Sequence, residues 1–228
     1  MYLFKSLLAT AALAVATVPA IANAAVNLIT NGGFESPTLS TGDYTYVDGT
    51  LDGWTWSGDA ILINATNPNP GGNGWWPSAP APSGFGGVQF AGVQDQGSLS
   101  QTFNVTAGGA LDLTWLAGGR PASYGCCNGD QSYEVLVDGV VEGKSYSTTS
   151  GQVFTPVSLT LLGLGLGPHT LTFQGLTTHD ETAFIDNVSI TAGGGGVPEP
   201  AAWALMLVGL GGMGVAIRGR REAATASA

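Results

Sequence analysis

The stretch Leu111-Asp112-Leu113-Thr114-Trp115-Leu116-Ala117 puts Leu111, Leu113, Trp115 and Ala117 on one side of an extended chain. Side chains alternate across a strand, so an apolar residue at every second position predicts a strand with one buried face. The same reading extends outward in both directions. Tyr133, Val135 and Val137 share a face, and Val153, Thr155, Val157, Leu159 and Leu161 alternate in a longer segment. Leu171 with Phe173 mark a short strand, and Phe184, Val188 and Ile190 mark a last one. Turn signals separate them, among them Asp138-Gly139 and Gly167-Pro168. Short strands at this spacing, without helical periodicity or an internal repeat, predict an all-β fold: an antiparallel β-sandwich. Thr66 to Gly87 is crowded with Pro, Gly and Asn and reads as one long loop.

Both ends differ from this middle. Lys5 precedes an apolar run from Leu7 to Val18, followed by Ala22-Asn23-Ala24. That order predicts a secretory signal peptide over residues 1–24, cut between Ala24 and Ala25. Gly193 to Gly196 form a flexible linker, with Val197 completing the segment 193–197. The apolar run Ala201 to Ile217 follows, at the short end of what spans a bilayer as a transmembrane helix. Arg218, Arg220 and Arg221 predict that residues 222–228 stay cytoplasmic, with the domain at 25–192 outside.

Pro198-Glu199-Pro200, the apolar run containing Trp203, and the terminal Arg cluster together resemble a PEP-CTERM sorting signal over residues 198–221. The resemblance implies recognition of Pro198, Glu199 and Pro200 by an exosortase-type membrane protease. It also implies removal of the tail and delivery to the cell surface or the extracellular matrix.

Between the ends the chain holds two bases, Arg120 and Lys144, against fourteen acids, a net charge near −12. So acidic a domain repels nucleic acid, whose affinity comes from neutralised phosphates, and favours divalent cations. No catalytic motif stands out: there is no nucleophile elbow, metalloprotease helix, P-loop or dinucleotide fingerprint. The expectation is therefore a protein that is not an enzyme. His169 enters a strand from a turn and reads as structural; His179 lies with Asp180 and Glu181 in a loop and reads as solvated. Cys126-Cys127 are adjacent, so a bond between them staples no distant strands.

Asp186 sits at an apolar position of the last strand, sharing a face with Phe184, Val188 and Ile190. A carboxylate there needs a partner, and Arg120, backbone amides or a cation would each serve. Calcium suits oxygen ligands in an acidic exported domain.

Three segments carry a second resemblance. Asn27-Leu28-Ile29-Thr30-Asn31-Gly32-Gly33-Phe34-Glu35 opens the domain, Leu99-Ser100-Gln101-Thr102-Phe103 precedes a strand, and Ala183 to Ile190 closes it. Together they resemble a galactose-binding-like jelly roll, the fold of many carbohydrate-binding modules; Arg120-Pro121 is similar to sugar-binding relatives. The resemblance implies first and last strands lying together and a structural calcium there, with Glu35 and Asp186 as its side-chain ligands. It implies a polysaccharide or matrix glycan as partner.

Sugar binding needs flat aromatic faces and a few planar polar groups. Trp54 reads as core. Trp75 and Trp76 lie in a loop too polar to bury both, so they are the candidate stacking residues, with Arg120 for hydroxyls. Trp56 and Tyr124 stand behind them. Two other functions fit the composition: a structural matrix protein without a small ligand, and a secreted polysaccharide hydrolase whose carboxylates have no sequence signature.

Overall fold

A computed structural model describes residues 26–66, 83–121 and 130–192. The chain divides into two compact units. One is Ala25–Gly196; the other, made of Met1–Ala24 and Val197–Ala228, lies outside the described residues, as do Trp75, Trp76, Tyr124, Cys126 and Cys127.

The first unit is all-β. Its strands are β1 (Tyr44–Tyr46), β2 (Gly49–Leu51), β3 (Trp54–Ser57), β4 (Ala60–Asn64), β5 (Gln89–Gln94), β6 (Ser98–Val105) and β7 (Leu111–Gly119). There follow β8 (Gln131–Val137), β9 (Val140–Val141), β10 (Tyr146–Thr148), β11 (Thr155–Leu161), β12 (Gly167–Gly175) and β13 (Thr182–Ala192). Every pairing is antiparallel. One sheet runs β1-β4-β5-β13-β7-β11. The other runs β10-β8-β12-β6-β3-β2, with β9 paired to β8.

The alternating residues meet between the sheets. Leu113 and Trp115 of β7 face Tyr133, Val135 and Phe173 from the opposite sheet, all buried. Trp115 donates its indole N–H to the Tyr133 hydroxyl at 3.0 Å, a buried hydrogen bond between the two sheets. Burial pushes the Tyr133 phenol well above its usual range. Trp54 is fully buried against Phe34, with ring centroids 5.1 Å apart, and donates to the Asn31 carbonyl at 3.1 Å.

The six-stranded sheet is apolar on its outer face too. Ile61, Ile63, Phe90, Phe154 and Phe184 form a second buried cluster there, with Phe85 packed on Phe90 and Phe154. This layer changes several sequence expectations. Val153 is half-exposed rather than a strand residue; Phe154 is the buried one, and β11 starts at Thr155. Leu99–Phe103 lies inside β6 rather than before a strand, and Gly167-Pro168 begins β12. Asp186 shares its face with Phe184 but not with Val188 and Ile190. A bulge between Asp186 and Ser189 sets two residues of β13 against one of β7 and reverses the alternation. Trp56 is buried in the core, which removes it as a stacking residue.

The termini of the unit lie together. Beyond the bulge β13 pairs with the entering strap: Val188 donates to the Gly32 carbonyl at 2.9 Å and Leu28 to the Ile190 carbonyl at 2.8 Å. A side chain at Gly32 would place its Cβ 2.0 Å from the Val188 carbonyl oxygen, so glycine is required.

At one end of the sandwich His169 joins two loops. Its Nδ1 lies 2.7 Å from Asp138 Oδ2 and its Nε2 lies 2.9 Å from the Gly165 carbonyl. The Asp138 bond raises the His169 pKa and lowers that of Asp138.

Two predictions follow from this packing. Trp54→Ala should lower stability by about 3–5 kcal/mol through the cavity it leaves, read from chemical denaturation. The His169–Asp138 pair is fully present below the unfolded histidine pKa of about 6.5 and weakens as pH rises through the higher folded value. Asp138→Asn should therefore lower Tm more at pH 5.5 than at pH 8.5. Equal losses at both would show that the pair carries no charge-dependent stability.

Candidate functional site

The opening strap and the bulged strand bring Glu35 and Asp186 to one place. Asp186 is fully buried, and backbone amides are its partners: Gly86 donates to Oδ2 at 2.7 Å and Asn187 to Oδ1 at 2.7 Å. Arg120, the side-chain partner considered from sequence, is instead bonded to Asp180. Burial pushes the Asp186 carboxyl up to about 7; the two amides oppose the shift and the Glu35 charge adds to it. Glu35 is exposed, and its Oε1 accepts from Val88 at 2.8 Å and Gln89 at 2.9 Å. Gly87 turns beneath it at φ +63°, and a Cβ there would displace that oxygen, 2.1 Å away.

The oxygens of Asp186 Oδ1 and Asn187 Oδ1 both lie within 4 Å of where a Gly33 side chain would begin. The donor set is all oxygen, two carboxylates and one amide, and a buried carboxylate is present with no ion pair among the described residues. That chemistry fits a hard divalent cation, with backbone carbonyls or water filling the remaining positions. Among the described residues no three His, Cys, Asp or Glu side chains form a cluster able to hold a metal by themselves.

Arg120 leaves the end of β7 and enters a polar chain at the edge of the outer face. Tyr46 donates its hydroxyl to Gln94 Oε1 at 2.9 Å, and Gln94 Nε2 donates to Asp180. Arg120 Nη1 donates to the same Asp180 oxygen at 2.7 Å. Arg120 is mostly buried while Asp180 is half-exposed. Partial burial and then the Asp180 charge raise the Tyr46 pKa, with Arg120 pulling the other way. Tyr44 and Tyr46 alternate on β1, so both rings project from one face; they meet edge-on at 6.4 Å and are 41% and 50% exposed.

The loops at this end are held by a buried glutamine. Gln131 donates to the carbonyls of Val93, Asp95 and Glu181, each at 3.1 Å, and accepts from Thr177. Beside them opens a cleft of about 200 Å³ lined by Asp59, Asp95, Gln96 and Thr178.

Arg120 was a candidate from sequence; Tyr44, Tyr46, Gln94 and Asp180, which the structure places around it, were not. The spacing Tyr44-Thr45-Tyr46 was the available signal for two aromatic rings on one face. Trp75, Trp76, Pro198, Glu199 and Pro200 lie outside the described residues. Among the described residues no helix is long and apolar enough to cross a membrane; the run Ala201 to Ile217 lies outside them.

No curated protein matches the chain in sequence. Among solved structures it is similar to TmCBM61, a carbohydrate-binding module in complex with beta-1,4-galactotriose, at 18% identity and TM-score 0.46, covering 73% of this chain and 99% of that one. It is also similar to the CBM22-1 xylan-binding domain of Paenibacillus barcinonensis Xyn10C, at 12% identity and TM-score 0.42, covering 68% and 97%. A family 35 carbohydrate-binding module from Clostridium thermocellum gives 14% identity and TM-score 0.39, covering 59% and 92%. Residues 196–221 match the PEP-CTERM protein-sorting motif, so the chain carries at its C-terminal end a signal that sorts exported proteins.

Proposed function

We propose that this chain is a non-catalytic surface or matrix protein that binds carbohydrate through its sandwich. Export begins with the signal peptide at 1–24. An exosortase-type protease then recognises Pro198, Glu199 and Pro200 and frees the domain from the apolar segment.

The observation that carries the binding reading is the chain Tyr46–Gln94–Asp180–Arg120 beside Tyr44. Sugar rings offer apolar C–H faces to aromatic rings and hydroxyls to planar polar groups. Asp180 and Arg120 are such groups, and the buried Gln94, bonded to Tyr46 and to Asp180, holds them in place before a ligand arrives, which lowers the entropy cost of binding. Trp75 and Trp76, in the segment between β4 and β5, are proposed to stack on the same ligand. Asp180 already accepts from two donors, an arrangement suited to orienting a hydroxyl rather than to shuttling a proton.

Glu35 and Asp186 are proposed to hold a structural calcium. Calcium would supply there the positive charge that the buried Asp186 lacks. Asp186 binds Gly86 and Glu35 binds Val88 and Gln89, so both carboxylates order the segment that carries Phe85.

A glycan array with the full chain tests binding. Against a glycan that binds, Tyr46→Ala, Arg120→Ala, Trp75→Ala and Trp76→Ala should each fold normally. At least one aromatic variant should lose about thirtyfold in affinity, the equivalent of about 2 kcal/mol. An array without hits, or four folded variants that all bind normally, would sink the reading.

Calcium is tested separately by thermal melts. Chelator should lower Tm and added calcium restore it, because a ligand of the native state alone stabilises by mass action. Asp186→Asn should abolish the difference. A Tm unmoved by excess chelator, on protein verified to be metal-free, removes calcium from the proposal.

A further inference from the structure

The end of the sandwich opposite Arg120 carries exposed apolar side chains beside Asp138 and Glu142. The connection from β11 to β12 reads Leu162-Gly163-Leu164-Gly165-Leu166. Leu164 packs against the core, while Leu162 and Leu166 are 73% and 71% exposed. Val140 and Val141 on the neighbouring hairpin are exposed as well. These side chains are held in place: the His169 ring contacts the Gly165 carbonyl on one side and Asp138 on the other. Four large apolar side chains projecting from adjacent, tethered loops need an explanation in an otherwise acidic domain.

The path of the chain supplies one. Leu111 of β7 pairs with Leu161 on one side and with Ala192 on the other. With strands about 4.8 Å apart, the last residue of β13 lies about 10 Å from the start of the leucine loop. Strand β13 thus ends at this end of the sandwich. Eight residues separate Ala192 from Ala201, where the apolar run begins. Such a linker spans about 16 Å on average and about 28 Å at full extension. While the tail is in a bilayer, the leucine end cannot be far from its surface.

We propose that the Leu162–Leu166 loop, with Val140 and Val141, docks onto the lipid surface while the precursor is anchored. The inference rests on the membrane-anchored step in the proposed function. Between Leu161 and Pro168 the loop carries no charge, so its apolar side chains enter the headgroup boundary without burying an ion. Pro198, Glu199 and Pro200 directly precede the apolar run, so anchoring itself keeps them at the membrane, and docking would limit how far the domain swings away from them. Cutting the tail leaves only this small contact, so release follows.

The test uses the full chain reconstituted in phosphatidylcholine vesicles, with Cys126→Ser and Cys127→Ser as background. An environment-sensitive fluorophore is attached after Leu162→Cys, Leu166→Cys or, at the opposite end, Thr178→Cys. Flotation first establishes anchoring. Labels at 162 and 166 should shift to the blue and lose emission to lipid-borne quenchers, and the label at 178 should do neither. A label placed after Val140→Cys should lose its quenching when Leu162→Ser and Leu166→Ser are added, with flotation unchanged.

A chain that fails to float overturns the anchoring reading and this inference with it. A chain that floats with labels at 162 and 166 as aqueous as at 178 overturns this inference alone. Shielding at 162 that lipid quenchers do not reach, together with energy transfer between labelled copies, marks a contact between two chains and also overturns it.

Discussion

Strand β13 carries an extra residue at Asn187, and most of the fold's asymmetry depends on it. The strand lies between β5 and β7, so a change of face there propagates to both sides. Before the bulge Ala183 and Ile185 enter the core between the sheets while Phe184 and Asp186 point outward; after it Val188 and Ile190 point inward. β5 pairs with β13 only as far as Ile185, and the strap from Leu28 to Gly32 takes over beyond the bulge. Asp186, turned outward and buried, binds Gly86 and thereby fixes the segment whose Phe85 covers the outer face. One backbone irregularity thus joins the entering strap, the last strand and the outer apolar layer.

Buried amides complete this scheme. Gln89 is fully buried and donates to the carbonyls of Phe34 and Pro37; Gln101 exchanges two hydrogen bonds with the backbone of Thr30. Gln131 does the same for three strands' worth of loop. Irregular backbone has no ladder to satisfy its polar groups, and each group left unpaired in the interior would cost about 1–3 kcal/mol. A neutral amide carries both donor and acceptor, so one glutamine can close a loop from inside without burying a charge.

The alternating strands were legible because their period is set by covalent geometry. Leu111 to Ala117, Tyr133 to Val137 and the burial of Trp54 follow from it directly. Reading failed where a second layer or an extra residue intervened. Val153 and Phe154 are both apolar, and period two alone chooses between them only if the outer face is known to be covered. Asp186 stood out for the right reason, a carboxylate among apolar residues, but its face was misjudged because a bulge leaves no periodic trace. The one hint is Asn187 itself, at φ +47°, a conformation that asparagine tolerates better than most residues. Glu35 could be linked to Asp186 only through a family resemblance, since nothing in the spacing joins residues so far apart. Asp180 was dismissed as solvated because its partners, Arg120 and Gln94, come from other strands.

The two ends of the sandwich therefore differ in kind. One gathers Arg120, Asp180, Gln94 and Gln131 around loops that close β5, β7 and β12; the other gathers the leucine loop and the end of β13. β12 runs from one end to the other, and its nine residues span about 30 Å. If the leucine end rests against lipid, the polar end with Arg120 and Asp180 lies about that distance farther out, clear of the headgroups. In the proposed reading, anchoring and binding make opposite demands on the surface, and the sandwich would separate them by the length of its strands.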